Sequence, residues 1–252
     1  RHRYFKQKLE HVLLRTVKVL DQQAGASKFI PVKLELSFGP DGELPPLELQ
    51  LKNGMKMQLN GKIDRVDKAK SEKGVYLRVI DYKSSEHGLE LGEVYYGIAL
   101  QLLTYLDVLL EYAEKLVSAP AYPAGVLYFH VHNPFLNTSK PLEPEKIEQE
   151  IFKKFKMKGL VLSDSEVVRL MDQTLESGSS SIINAGINKN GSLSARSKAA
   201  NEEEFHVLRK YVRHVFRETG NKIVDGKTDI APFKTNDDKT ACTYCPFKPV
   251  CL

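Results

Sequence analysis

The sequence predicts an α/β protein in which a mixed central sheet is flanked by helices. Three observations lead there. Several stretches in the first half alternate apolar and polar residues at period two, the pattern of a half-buried strand. An Asn-Gly pair, Asn53-Gly54, sits between two of them and marks a hairpin. Stretches with helical spacing come before, between and after the strands, so the order reads helix, about four strands mostly in antiparallel hairpins, helix, strand, helices.

In chain order, Tyr4 to Leu20 carries Leu9, Val12, Leu13, Val17 and Leu20 at helical spacing. "FIPVKLELSFG" places Val32, Leu34, Leu36 and Phe38 on one strand face. "PLELQLKNGMKMQLNGKIDRVD" reads as two strands joined at Asn53-Gly54, and Gly74 precedes a further strand, "VYLRVIDY". A longer helix is expected from about Val94 to Val117, then a fifth strand in "AGVLYFHVH", closed by Asn133-Pro134. The core of the domain therefore falls at about 1–135. A region of helices and loops follows at about 140–220, with short helices at Glu145–Met157 and Asp164–Leu175. "ESGSSSIINAGINKNGSLSARSKAA", rich in Ser, Gly and Asn, reads as a mobile loop. Glu202 to Thr219 reads as the last helix, and the tail at about 221–252 has little periodicity. No internal repeat is found.

With 42% hydrophobic and 27% charged residues, the 252-residue chain has the composition of a globular protein, enough for one large domain or two small ones. No apolar run approaches the ~20 residues that span a bilayer. The start, "RHRYFKQKLE", has neither a signal-peptide apolar region nor an initiator methionine, and reads as part of something longer. A net charge of +5 is compatible with a polyanionic partner. Three cysteines crowd into the last eleven residues, which points to a metal or cluster site in a reducing compartment rather than to a disulfide framework.

The stretch "GKIDRVDKAKSEKGVYLRVIDYKSS" carries the chemistry. Strand side chains repeat with period two, so Asp81 and Lys83 point the same way as Val75, Leu77 and Val79. Asp64 is expected to end a comparable strand, so that the two carboxylates converge if the strands pair. A buried carboxylate without a partner is costly. Two carboxylates and a lysine at one mouth suit a divalent cation that prefers hard oxygens, Mg²⁺ above all, with phosphate and water completing its shell. Such an ion lowers the pKa of bound water and neutralises phosphodiester charge, while Lys83 holds the attacking water or the developing charge. The bland alternative is a surface ion pair worth ~0–1 kcal/mol. Asp-x-Lys also occurs at Asp225/Lys227 and Asp237/Lys239, but only Asp81/Lys83 ends an apolar strand. Gln101 and Tyr105, four apart on one helix face, could order a phosphate, a base or a water, or simply pack on the sheet.

"GKIDRVD", "VIDYKSS" and "QLLTY" together resemble the motifs of RecB-type nucleases of the PD-(D/E)xK superfamily, whose fold is restriction-endonuclease-like. "EVYYGIALQLLTYLDVL", "PAGVLYFHVHNP" and "CTYCPFKPVC" narrow the resemblance to the C-terminal nuclease domains of AddB-type subunits of bacterial helicase-nucleases. It is weakest from about Ile151 to Thr240. The resemblance implies a Mg²⁺-dependent DNA exonuclease that processes double-strand ends for recombinational repair in the cytoplasm. It implies an AddA-type helicase-nuclease subunit as heterodimer partner, and a single strand at the active site. Asp64 and Asp81 would be metal ligands, Lys83 the catalytic lysine, and Gln101 and Tyr105 positioning groups. A further acidic or histidine ligand is implied on a helix before the first strand. That segment reads as lying upstream of Arg1, because His11, one of two early histidines with His2, reads as a helix-surface residue.

Cys242, Cys245 and Cys251 form a compact soft-ligand group. On residues alone the choices are zinc with an outside ligand, a cluster, or free thiols. The resemblance implies a structural [4Fe–4S] cluster whose fourth cysteine is upstream. Two other functions stand beside the exonuclease: a catalytically inactive nuclease-fold module that guides DNA, and a stand-alone CRISPR-associated iron–sulfur nuclease.

Overall fold

The computed structural model describes residues 2–234, 240, 242 and 245–251. It opens with helix α1 (His2–Gly25) and strand β1 (Ile30–Phe38), followed by β2 (Leu47–Gln50), β3 (Lys56–Leu59), β4 (Gly61–Ser71) and β5 (Gly74–Lys83). Three helices, α2 (Leu91–Tyr95), α3 (Gln101–Glu111) and α4 (Ala113–Val117), lead to β6 (Ala121–His130). Then come α5 (Pro144–Lys154), β7 (Lys158–Leu162), α6 (Ser165–Met171), β8 (Gly178–Ser179), β9 (Gly186–Ile187), β10 (Ala199–Ala200) and α7 (Glu202–Val224).

The central sheet has six strands in the order β1-β4-β5-β6-β7-β10. The β1/β4, β4/β5 and β6/β7 pairs are antiparallel; β5/β6 and β7/β10 are parallel. A parallel pair needs a crossover, and α2–α4 supply the one between β5 and β6. One face of β5 points toward α3, where Lys83 meets Gln101. On the other face Tyr82 packs edge-on to Phe129, which stacks on Phe155; Phe155 O in turn accepts from Gln23 of α1. The sheet is thus sandwiched between α3 and α7 on one side and α1 and α5 on the other. Asp107, buried in α3, accepts from Arg209 Nε (2.7 Å) and Arg213 Nε (2.5 Å) and ties α7 to α3.

Several sequence expectations are corrected. Asn53-Gly54 does turn a hairpin, but β2 and β3 form a separate two-stranded sheet. β4 is a new strand that begins at Gly61, so Asp64 lies near a strand's start rather than at its end. The helix expected at 94–117 is broken: Gly97, at φ +76°, turns the chain between α2 and α3 in a conformation side-chain-bearing residues rarely adopt. α1 forms, yet its apolar stripe faces outward, with Leu9 62% and Val17 63% exposed, and it docks through Thr16, Val19 and Gln23. Periodicity shows that a helix has an apolar face, not which neighbour covers it.

The region beyond 140 extends the same sheet through β7 and β10. "KGLVL" escapes a sequence reading as a strand because it is short and follows a helix directly. Gly159 is what lets β7 approach β6, since a Cβ there would fall 2.0 Å from Val126 O. The Ser-, Gly- and Asn-rich stretch is packed, not loose: Ile182, Ile183 and Ile187 are buried, and buried Ser180 donates to Asp172 Oδ2 at 2.6 Å.

Candidate active site

Asp64 is the fourth residue of β4, and Asp81 and Lys83 close β5. The register pairs Arg65 with Ile80; one step further puts Asp64 opposite Asp81, and directly opposed residues share a face. Asp64 Oδ2 accepts the Tyr82 N–H at 2.9 Å, which holds that carboxylate across the gap between the strands.

Asp81 is 2% exposed. Its Oδ2 lies 2.7 Å from Lys83 Nζ, an ion pair outside good hydrogen-bond alignment, and no other donor among the described residues reaches this buried oxygen. Burial pushes the Asp81 pKa up, Lys83 pulls it down, and the neighbouring Asp64 charge adds to the rise. Lys83 Nζ also donates to Gln101 Oε1 (3.2 Å), and Gln101 Nε2 donates to the Tyr105 hydroxyl (2.9 Å). Tyr105 packs edge-on against Phe38 at 5.9 Å between ring centroids. Gly61 makes room for that pair, since a Cβ would come within 2.9 Å of the Phe38 ring. All five residues singled out in the sequence therefore meet in one continuous chain: Asp64 beside Asp81, then Lys83, Gln101 and Tyr105.

The parallel strand β6 adds groups that sequence reasoning missed. Tyr128 pairs with Asp81 and His130 with Lys83. Lys83 Nζ stands 5.9 Å from the Tyr128 ring centroid. Burial, and then the Asp81 charge, push the Tyr128 pKa up to about 12, so its phenol stays neutral. His130 stacks on His132 at 4.0 Å. The signal lies in "LYFHVH": a strand parallel to β5 must set alternate residues beside Asp81 and Lys83.

The other singled-out groups lie apart. His2 and His11 are exposed on α1, on the far side of the sheet. Asp225 and Lys227 lie exposed at the end of α7, and Asp237/Lys239 lies outside the described residues. Cys242 and Cys245 are half-buried and Cys251 is exposed; all are free thiols, with Cys245 N donating to Cys242 O at 3.2 Å. Among the described residues, no group of three or more His, Cys, Asp or Glu side chains is arranged to hold a metal ion. Two facing carboxylates, one of them buried with only the Lys83 ammonium as partner among the described residues, nonetheless fit a hard divalent cation that takes its remaining ligands from water and substrate.

Residues 1–252 match the PD-(D/E)XK nuclease superfamily. The chain belongs to that superfamily. It is 56% identical over 251 residues to an ATP-dependent helicase/deoxyribonuclease subunit of Bacillus subtilis (strain 168). To the corresponding subunits of Bacillus pumilus and Bacillus mycoides it is 53% identical over 251 residues and 55% over 255 residues. Each alignment covers 100% of this chain but only 21–22% of the relative, so the chain spans about a fifth of these relatives' length. For a PD-(D/E)XK nuclease the mixed sheet flanked by helices is as expected from the sequence. No helix among the described residues is long and apolar enough to cross a membrane.

Proposed function

We propose that this chain is the DNA-cutting domain of an ATP-dependent helicase-nuclease, and that Asp64 and Asp81 hold Mg²⁺ for phosphodiester hydrolysis. One observation carries the reading: Asp81, buried and facing Asp64, has an oxygen whose one partner among the described residues is the Lys83 ammonium. A buried carboxylate is costly to leave half-completed, and here a second carboxylate, Asp64, faces the same gap, so the pair suits a shared cation. The cation, when bound, would supply charge neutralisation and a more acidic water.

The chain's own residues supply the rest. Lys83 lies within reach of both Asp81 and the reacting region, where its ammonium orients the attacking water or meets the charge that develops on the phosphate oxygens. Gln101 fixes that ammonium by accepting from it, and Tyr105 fixes Gln101. Buried Tyr128, neutral at physiological pH, walls the site on the β6 side. The intact Asp81–Lys83 contact favours an active nuclease over an inactive binding module. The relatives are named as subunits of an ATP-dependent helicase/deoxyribonuclease. That name supports a DNA substrate and a place in a complex; the resemblance read from the sequence adds an AddA-type partner subunit and exonuclease action on double-strand ends in the cytoplasm. In that setting Cys242, Cys245 and Cys251 would be three ligands of a [4Fe–4S] cluster. The chain has no fourth cysteine, so that shell would close only with a thiolate from outside it.

The test uses the full-length protein in its complex. Asp81→Ala should lower cutting of one DNA strand by about 10³-fold or more, the scale of losing several kcal/mol of metal-supplied stabilisation. ATP hydrolysis should stay near wild type. Cutting at the wild-type rate would refute the assignment.

A further inference from the structure

Beside the carboxylate pair the sheet carries a second charged feature. A cavity of about 420 Å³ opens under the loop that follows β5, lined by Glu86 and Glu90 from that loop and by Lys156, Lys158 and Lys198 from the opposite wall. Its place relative to the carboxylates is set by register. Asp81 pairs with Tyr128, and Tyr128 pairs with Lys158. Side chains of laterally paired residues share a face, so Lys158 stands on the same face as Asp81, two strands away. At the ~4.8 Å spacing of neighbouring strands that is about 10 Å, roughly three nucleotides at the ~3.4 Å rise of a stacked strand.

The lysines are not explained by folding. Glu86 pairs with Lys158 and Glu90 with Lys198 (2.5 Å), and all four side chains are largely exposed. Such pairs contribute little to stability and are readily exchanged for another anion. Lys156 is half-buried, donates to Ser179 Oγ at 3.1 Å and is in no ion pair among the described residues. Burial pushes its pKa down, opposed by the charge of Asp172. A desolvated cation without an adjacent counterion is costly to keep.

We propose that Lys156, Lys158 and Lys198 form a phosphate-binding subsite for the DNA backbone next to the scissile phosphate, closed in the free protein by Glu86 and Glu90. The inference rests on the nuclease reading above. Backbone phosphates displace the two carboxylates, and the strand runs from the lysines across Tyr128 to the carboxylate pair. The loop carboxylates thereby set a threshold: only a strand that offers several phosphates at once opens the cavity.

The experiment uses the full-length complex and reads two quantities. One is KM for the strand whose cutting depends on Asp81; the other is photocross-linking of a bromodeoxyuridine-substituted single strand to this domain, which needs no cutting. The triple variant Lys156→Ala/Lys158→Ala/Lys198→Ala should raise KM roughly tenfold or more, the loss falling on KM rather than kcat. It should make the log–log salt dependence of cross-linking shallower by about two, at ~0.7 per phosphate contact on a single strand. Replacing the three lysines by arginine should restore both, and Glu86→Gln/Glu90→Gln should lower KM. Melting temperature should change little, since Lys158 and Lys198 are exposed and half-buried Lys156 gives up one hydrogen bond, to exposed Ser179. Unchanged cross-linking and salt dependence in the alanine variant would overturn the subsite, as would a loss confined to kcat. Asp81→Ala separates the two readings: if it cuts like wild type the nuclease assignment fails, while cross-linking still decides the subsite.

Discussion

The β4–β5 hairpin carries two buried carboxylates, and their surroundings are opposite in kind. Asp67, 0% exposed, accepts four hydrogen bonds: Arg65 Nε (2.6 Å) on Oδ1, and Arg65 Nη2 (3.0 Å), Arg78 Nε (2.9 Å) and Arg78 Nη2 (2.7 Å) on Oδ2. Arg78 lies over the Phe29 ring at 4.6 Å. Asp81, on the other face, has a single cationic neighbour among the described residues, the Lys83 ammonium, 2.7 Å from Oδ2 and out of hydrogen-bond alignment. Asp67 is completed by two guanidinium groups; Asp81 has one ammonium and a facing carboxylate, which leaves room for a further cation. A buried charge is therefore no sign of function by itself, and its unsatisfied remainder is the informative part. The two networks also cooperate. Arg65 Nη1 reaches the Tyr82 hydroxyl at 3.4 Å, while the Tyr82 N–H holds Asp64. The closed cluster thus helps fix the strand that positions the open one.

One carboxylate serving two guanidinium groups leaves a remainder of its own. Burial works against the Arg65 charge, yet the hydrogen bond and charge of Asp67 prevail and its pKa rises. At Arg78 burial prevails and the pKa falls, and its Nη1 has no hydrogen-bond partner among the described residues.

The contrast can be broken from either side. The largest expected effect is on the closed cluster. Asp67→Ala strands two buried guanidinium groups and should cost about 3–5 kcal/mol of stability, read as a drop in urea midpoint or a failure to fold. A loss below about 1 kcal/mol would mean that the cluster is not the fixed point described here. The smaller effect is on the open side. Asp81→Asn, without metal, should raise stability by about 1 kcal/mol, because for the charged carboxylate the cost of burial outweighs the gain from Lys83. The pH dependence sharpens it. A carboxyl whose folded pKa lies above its unfolded value costs stability when ionised, so the metal-free protein should become more stable as pH falls through the raised folded value. Asn should remove that gain, which paired thermal melts across the acidic range would show.

Much of this is legible in the residues. Period-two spacing places Asp81 and Lys83 on one face, and the i, i+4 spacing of Gln101 and Tyr105 puts both on the helix side that meets Lys83. Strand pairing is harder to read. Asn60 alone separates β3 from β4, with no turn signal between the two sheets. The sequence therefore puts Asp64 at the wrong end of its strand, although opposite the right partner. β7 and β10 are too short for periodicity to show, and the lysine-lined cavity depends on them. Lys158 lies near Asp81 only because two strand pairings intervene, and such adjacency is a property of topology, not of local sequence. The packed stretch around Ser180 is obscured by a composition shared with true loops.

The central claim is that Asp81 and Asp64 jointly hold a divalent cation. Titration of the full-length protein with Mn²⁺, read by the electron paramagnetic resonance of the free ion, tests this without reference to cutting. The account predicts that wild type takes up one more Mn²⁺ than either Asp64→Asn or Asp81→Asn, with both variants folded and melting no lower than wild type. Equal uptake by wild type and Asp81→Asn would contradict it.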